Sequence, residues 1–143
     1  MSYVRVWIHA VWGTKNRERL LTKEIRPRVV SHIRENARQK QVYIDRLNGY
    51  TEHLHCLFGL NADMTIAKTL QLMKGESAYW INREKIALVK FEWANEYYAV
   101  SVSESTLEDV GAYIDNQEEH HKKTLFAEEV EEFLQKYNFS RHG

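Results

Sequence analysis

The chain has 143 residues, 43% of them apolar and 12% aromatic, enough for one hydrophobic core and too few for two, so residues 1–143 are expected to form a single domain. Twenty Lys and Arg balance twenty Asp and Glu, and no apolar run approaches the roughly 20 residues of a bilayer-spanning helix. A lone cysteine, Cys56, excludes an intrachain disulfide, and the opening Met1-Ser2-Tyr3-Val4-Arg5 lacks a secretory pattern, so a reducing, cytoplasmic setting is expected.

The neutral total hides an asymmetry. Residues 1–50 carry 11 basic and 4 acidic side chains, whereas residues 101–143 carry 4 and 10. A basic first third can face phosphates while an acidic tail neutralises the sum, although solvated helix faces would look the same.

In chain order, Tyr3 to Trp12 alternates as a strand, with Val4, Val6, Ile8 and Ala10 on one side and Arg5, Trp7, His9 and Val11 on the other. A basic loop follows, holding Lys15, Arg17 and Arg19. Thr22 is placed to cap a helix running to about Lys40, in which Val29, Val30, Ile33 and Ala37 recur at helical spacing. Val42–Leu47 reads as a second strand. Asn48-Gly49 reads as a tight turn into a third strand that ends at Leu60. Thr65 opens a long helix with Ile66, Leu70, Met73, Ala78 and Ile81 as its apolar side. Tyr97–Val102 is a fourth strand, a helix is expected from about Thr106 past His121, and a short one from Ala127 to Tyr137. The order is βαββαβ with additional C-terminal helices, the α+β ferredoxin-like sandwich with an antiparallel sheet. That arrangement hosts many activities, so function has to be read from a site.

His53 and His55 flank Leu54 on the third strand, so both imidazoles project from one face while Leu54, Cys56 and Phe58 project from the other. The apolar set should lie under the two long helices, leaving the histidines open to a ligand. Tyr113 and Gln117 are four apart in a helical stretch and share a side of it. Two imidazoles, an amide oxygen and a phenol can make a divalent-metal site with a nucleophile beside it. Taken singly, each residue also has a plainer reading: His-x-His arises by chance, and Tyr113 fits an amphipathic helix. His120 and His121, one turn beyond Gln117, are accessory candidates. His9 reads as a core or edge histidine. Lys15, Arg17, Arg19 and Lys74 are candidate phosphate contacts. The helix holding Glu128, Glu129, Glu131 and Glu132 is expected to face solvent or a partner.

Several segments together resemble the single-tyrosine HUH transposases of the insertion-sequence 200/605 group, including their repeat-associated domesticated relatives. They are Ile8 to Arg17, His53-Leu54-His55, Leu72 to Ser77 with Trp80-Ile81-Asn82, Val100 to Ser103, and Tyr113 to His121, all in family order. The resemblance implies that His53, His55 and Gln117 bind Mg²⁺ or Mn²⁺ and that Tyr113 is the nucleophile. It implies cutting and rejoining of single-stranded DNA at hairpin-flanked ends through a 5′-phosphotyrosine, without a nucleotide cofactor. It also implies a homodimer in which the tyrosine helix can serve the partner's histidines. Two departures stand out: Glu52 where an Asp is common before the first histidine, and Glu96-Tyr97-Tyr98 where a Gly-Tyr-Gly type sequence is frequent. Neither is expected to touch a proposed ligand. The alternative is a non-mobile regulator of the same fold that binds hairpin DNA or RNA without cutting it.

Overall fold

The computed structural model describes residues 2–137 and 139; residues 1, 138 and 140–143, at the ends of the expected 1–143 domain, lie outside the described residues. The strands are β1 (Trp7–Gly13), β2 (Tyr43–Gly49), β3 (His53–Gly59) and β4 (Tyr98–Val102). The helices are α1 (Arg26–Gln39), α2 (Ile66–Arg83), α3 (Leu107–Asp115), α4 (Gln117–His121) and α5 (Phe126–Lys136). The sheet order is β2-β3-β1-β4 with every neighbouring pair antiparallel, the ferredoxin-like topology expected from the element order. None of the described helices is long and apolar enough to cross a membrane.

Both faces of the sheet are covered. Ile8, Ala10 and Trp12 of β1 and Leu54, Cys56 and Phe58 of β3 pack against Val29 and Ile33 of α1 and Leu70 and Met73 of α2. Each fully buried large apolar side chain of this layer is worth about 1.5–3 kcal/mol relative to exposure. On the other face, Trp7 and Leu57 meet Ile114 of α3, and Val11 meets Phe126 and Val130 of α5. The expectation that the histidine face lies open is therefore corrected, because α3, α4 and α5 form a second helical layer over it. All seven residues of β1 are buried, which is why its alternation is loose: both sides are interior.

Three local expectations also change. Pairing of β1 starts at Trp7, the first residue with partners on both sides, Gly59 of β3 and Val102 of β4. Helix α1 starts at Arg26; the Thr22 hydroxyl accepts from the Ile25 amide at 3.3 Å in the turn before it. The expected single helix past His121 is broken at Asn116. Asn48 Nδ2 donates to the carbonyls of Ile114 and Asp115 at 3.1 and 3.2 Å, which satisfies the end of α3 and lets the chain turn there.

The Asn48-Gly49 reading is corrected as well. Both residues belong to β2, where they pair with His55 and Leu54, and the turn lies at Tyr50 to Glu52. Gly49 is needed for close approach rather than for a turn conformation: a Cβ there would lie 2.0 Å from the His53 carbonyl oxygen. No side chain fits without moving the start of β3. Gly49→Ala is accordingly expected to destabilise the fold by about 3 kcal/mol, the upper end of ordinary overpacking, as read by urea denaturation. A loss below about 1 kcal/mol would show that the hairpin can open at little cost.

Candidate metal and nucleophile centre

The alternation of β3 puts His53 and His55 side by side under α3–α5, both fully buried. Glu52 Oε1 lies 2.7 Å from His53 Nδ1. A carboxylate only accepts, so Nδ1 carries the hydrogen and His53 turns Nε2 inward. Glu52 therefore does touch a proposed ligand, contrary to expectation. His9 also takes part: its Nε2 is 2.8 Å from His55 Nδ1, and this contact orients the ring so that His55 Nε2 also points inward.

Both inward nitrogens meet the same oxygen. Glu129 Oε1, from α5, lies 3.3 Å from His53 Nε2 and 3.1 Å from His55 Nε2, and it is 3.2 Å from His121 Nε2. Gln117 Oε1 is 3.0 Å from His53 Nε2, and Gln117 Nε2 is 3.4 Å from Glu129 Oε2. The Tyr113 hydroxyl donates to Glu129 Oε2. His120 Nε2 reaches the same oxygen at 3.4 Å. The acidic helix is thus only partly what its composition suggested. Glu128, Glu131 and Glu132 are exposed, while Glu129 is 1% exposed at the middle of the centre.

Tyr113 and Gln117 come together despite the break at Asn116, because α3 packs over β2 and β3, α4 packs over β2, and both turn these side chains toward Glu129. The Tyr113 ring stands 5.6 Å from the ring of His55 in the same chain. Phe126 of α5 stacks on His53 at 4.1 Å with ring planes 2° apart, in space left by Gly13, where a Cβ would be 3.2 Å from the Phe126 ring. Cys56 points into the other core layer, and burial pushes its thiol well above the usual range.

The basic candidates are spread differently. Lys15, Arg17 and Arg19 are exposed in the loop after β1, with Lys15 paired to Glu92 at 3.2 Å and the Arg17 guanidinium over the Phe126 ring at 5.1 Å. Lys74 is remote from the centre. Its ammonium donates to the carbonyls of Ala94, Asn95 and Glu96 at 2.8–3.4 Å and ties α2 to the loop before β4.

The donor set fits a cation. The inward atoms of His53, His55 and Gln117 can each offer a lone pair to a cation when deprotonated, and Glu129 adds an anionic oxygen. Without a proton or a metal ion between them, these lone pairs face one another. Donors bound at about 2.1 Å from one ion lie about 3.0–3.4 Å apart in octahedral to tetrahedral geometry, which matches the contacts of 3.0, 3.1 and 3.3 Å. His53, His55 and Glu129 all present ligand atoms within 4.8 Å of one another.

Comparison with known proteins identifies the family. Residues 2–117 match the model of the IS200-like transposase family, and the chain belongs to that family. It is similar to a crystal structure of a candidate transposase from Deinococcus radiodurans R1, with 25% identity, a TM-score of 0.63, and 82% of this chain and 95% of that chain covered. It is also similar in fold to a REP-associated tyrosine transposase bound to a REP hairpin, with 16% identity, a TM-score of 0.64, and 85% and 72% covered. A search of curated proteins found no match.

Charge in the centre is unevenly held. Burial, reinforced by repulsion from His55, pushes His9 down from 6.5 to about 3; burial pushes His55 down from 6.5 to about 4 despite the adjacent Glu129 carboxylate. Burial also opposes charge on His53, but the carboxylates of Glu129 and Glu52 outweigh it and raise that group. For Glu129, burial favours the neutral acid, yet hydrogen bonds from His121, His53 and His55 hold it below the usual carboxylate range. Burial and the Glu129 carboxylate push the Tyr113 phenol well above its usual range. As pH falls below 6.5, the unfolded chain protonates His9 and His55 while the native chain does not; His53 opposes this, because it is already protonated in the native centre at higher pH. The metal-free protein should therefore lose stability between pH 6.5 and 4, at about 1.4 kcal/mol per net proton per pH unit. Urea denaturation in EDTA at several pH values checks this, and stability that holds or rises on acidification would contradict the assignment.

Proposed function

We propose that this transposase-family chain is a metal-dependent nuclease and strand transferase for single-stranded DNA, acting at hairpin-flanked ends as one catalytic domain. The observation that carries the proposal is that Tyr113 and the metal-capable pair His53 and His55 converge on one point inside a single chain. His53, His55 and Gln117 would hold Mg²⁺ or Mn²⁺, and the imidazole pair favours Mn²⁺ of the two. A bound divalent ion supplies charge neutralisation and polarisation at the scissile phosphate.

The protein's own residues do the rest. Glu52 keeps His53 in the tautomer that leaves Nε2 free, and His9 holds the His55 ring with its Nε2 turned inward. The Tyr113 oxygen would form a bond to phosphorus as the bond to the 3′-oxygen breaks, and the proton the phenol gives up is matched by the one the departing 3′-oxygen takes up. The upstream strand departs with a 3′-hydroxyl, and the downstream strand stays attached as a 5′-phosphotyrosine. Attack by an incoming 3′-hydroxyl reverses the exchange, restoring the diester and the free tyrosine, so no ATP is consumed. Tyr113 lies over its own chain's histidines, so the arrangement supports attack in cis, and each subunit of a homodimer would carry a complete centre.

Hairpin ends are proposed as the substrate because a related transposase of the same fold is bound to a REP hairpin. Arg17 and Arg19 are exposed on the loop that follows Gly13, the β1 residue paired with His53, and this supports them as contacts for the phosphates of a strand entering the centre.

Tyr113→Phe should abolish the covalent adduct with end-labelled hairpin oligonucleotides taken from DNA flanking the gene, while leaving binding within about threefold, since the phenol oxygen is only one contact. His55→Ala should lower Mn²⁺-dependent cleavage at least about a hundredfold. Denaturing gels read the adduct and gel shifts read the binding. An adduct that persists in Tyr113→Phe would remove the nucleophile assignment. Tight hairpin binding with no adduct in the wild type would favour the non-cleaving regulator.

A further inference from the structure

The metal set proposed above, two imidazoles and an amide, is neutral. A divalent ion held by it would keep its full charge in a site shut off from water, which is costly. Glu129 lies in that site and is 1% exposed. Its Oε1 is 3.1–3.3 Å from the inward nitrogens of His53, His55 and His121, so three buried imidazoles converge on one oxygen at a spacing that ligands around a common ion can adopt. Its Oε2 takes the Tyr113 hydroxyl.

The neighbours of Glu129 hold it in place. Phe126, three residues before it, stacks on His53, and Val130, next to it, packs on Val11. Helix α5 therefore docks through apolar residues that flank the carboxylate and aim it inward. Glu129 lies beyond the 2–117 segment that matches the family. The family match therefore does not account for it, and the geometry of this chain has to.

We propose, building on the function proposed above, that Glu129 is a protein ligand of the metal, so that His53, His55 and Glu129 form a two-histidine, one-carboxylate set and α5 is part of the metal centre. This set halves the uncompensated charge of a divalent ion, leaves coordination positions open, and suits first-row divalent metals. With Oε1 toward the ion and Oε2 on the tyrosine, one carboxylate spans metal and nucleophile and fixes the distance between them.

Calorimetric titration of the DNA-free full-length protein with Mn²⁺ tests this without reference to activity. Glu129→Gln, close to isosteric, should weaken Mn²⁺ at least about tenfold, and His55→Ala should do likewise. Glu129→Asp, which keeps the charge but shortens the reach, should fall between Glu129→Gln and wild type, and it stands in should Glu129→Gln not fold. With Co²⁺ as probe, the visible spectrum should shift between wild type and Glu129→Gln, which a merely structural role for Glu129 would not produce. Unchanged Mn²⁺ affinity with an unchanged Co²⁺ spectrum in folded Glu129→Gln would overturn the inference and leave the proposed function standing. Wild-type protein that takes up no Mn²⁺ in a His55-dependent way would overturn both.

Discussion

One buried carboxylate organises the helix-covered face of this sheet. Glu129 meets three imidazole nitrogens through one oxygen and a phenol and an amide through the other. An unpaired buried charge costs several kcal/mol, so the carboxylate is tolerable only while these partners, or a cation among them, compensate it. The requirement runs outward. His53 must be held by Glu52, His55 by His9, and α3, α4 and α5 must all close over the sheet for their polar side chains to meet.

The two sides of the sheet divide the work. The α1–α2 side is an apolar layer that holds β1 and β3 in register. The α3–α5 side spends part of its interior on polar groups and relies on a few apolar anchors, Ile114, Phe126 and Val130, to keep its helices down. Polar interior of this kind stabilises less per area than hydrocarbon, and natural sequences accept that at functional sites. The high position of the Tyr113 phenol follows from the same arrangement: in the metal-free centre, burial and the adjacent anion both disfavour the phenolate. A cation bound at the proposed site would oppose the second of these effects.

The parts legible in the sequence were those set by local period. Alternation in β3 assigned His53 and His55 to one face and Leu54, Cys56 and Phe58 to the other, and the element order implied the sheet topology. The residues that escaped are fixed by long-range approach. Gly49 has the composition of a turn, but its smallness serves the His53 carbonyl four residues on. Glu52 and His9 matter only through their ring partners. Glu129 was hidden in an acidic helix, with His55 74 residues away. A signal for it existed: Phe126, Glu129, Val130 and Phe133 are spaced three, four and seven apart, so this one glutamate falls in the apolar stripe, while Glu128, Glu131 and Glu132 do not. A charged residue inside an apolar stripe asks for a buried partner.

The account depends on the claim that the meeting point of His53, His55 and Glu129 is a cation site beside Tyr113. The most direct measurement is anomalous diffraction from crystals of the DNA-free protein grown with Mn²⁺, collected near the manganese edge. The account requires a peak about 2.1–2.2 Å from the Nε2 atoms of both histidines, with the Tyr113 hydroxyl facing it. Manganese bound elsewhere, or clear density for the three side chains hydrogen-bonded to one another with no ion between them, would contradict it.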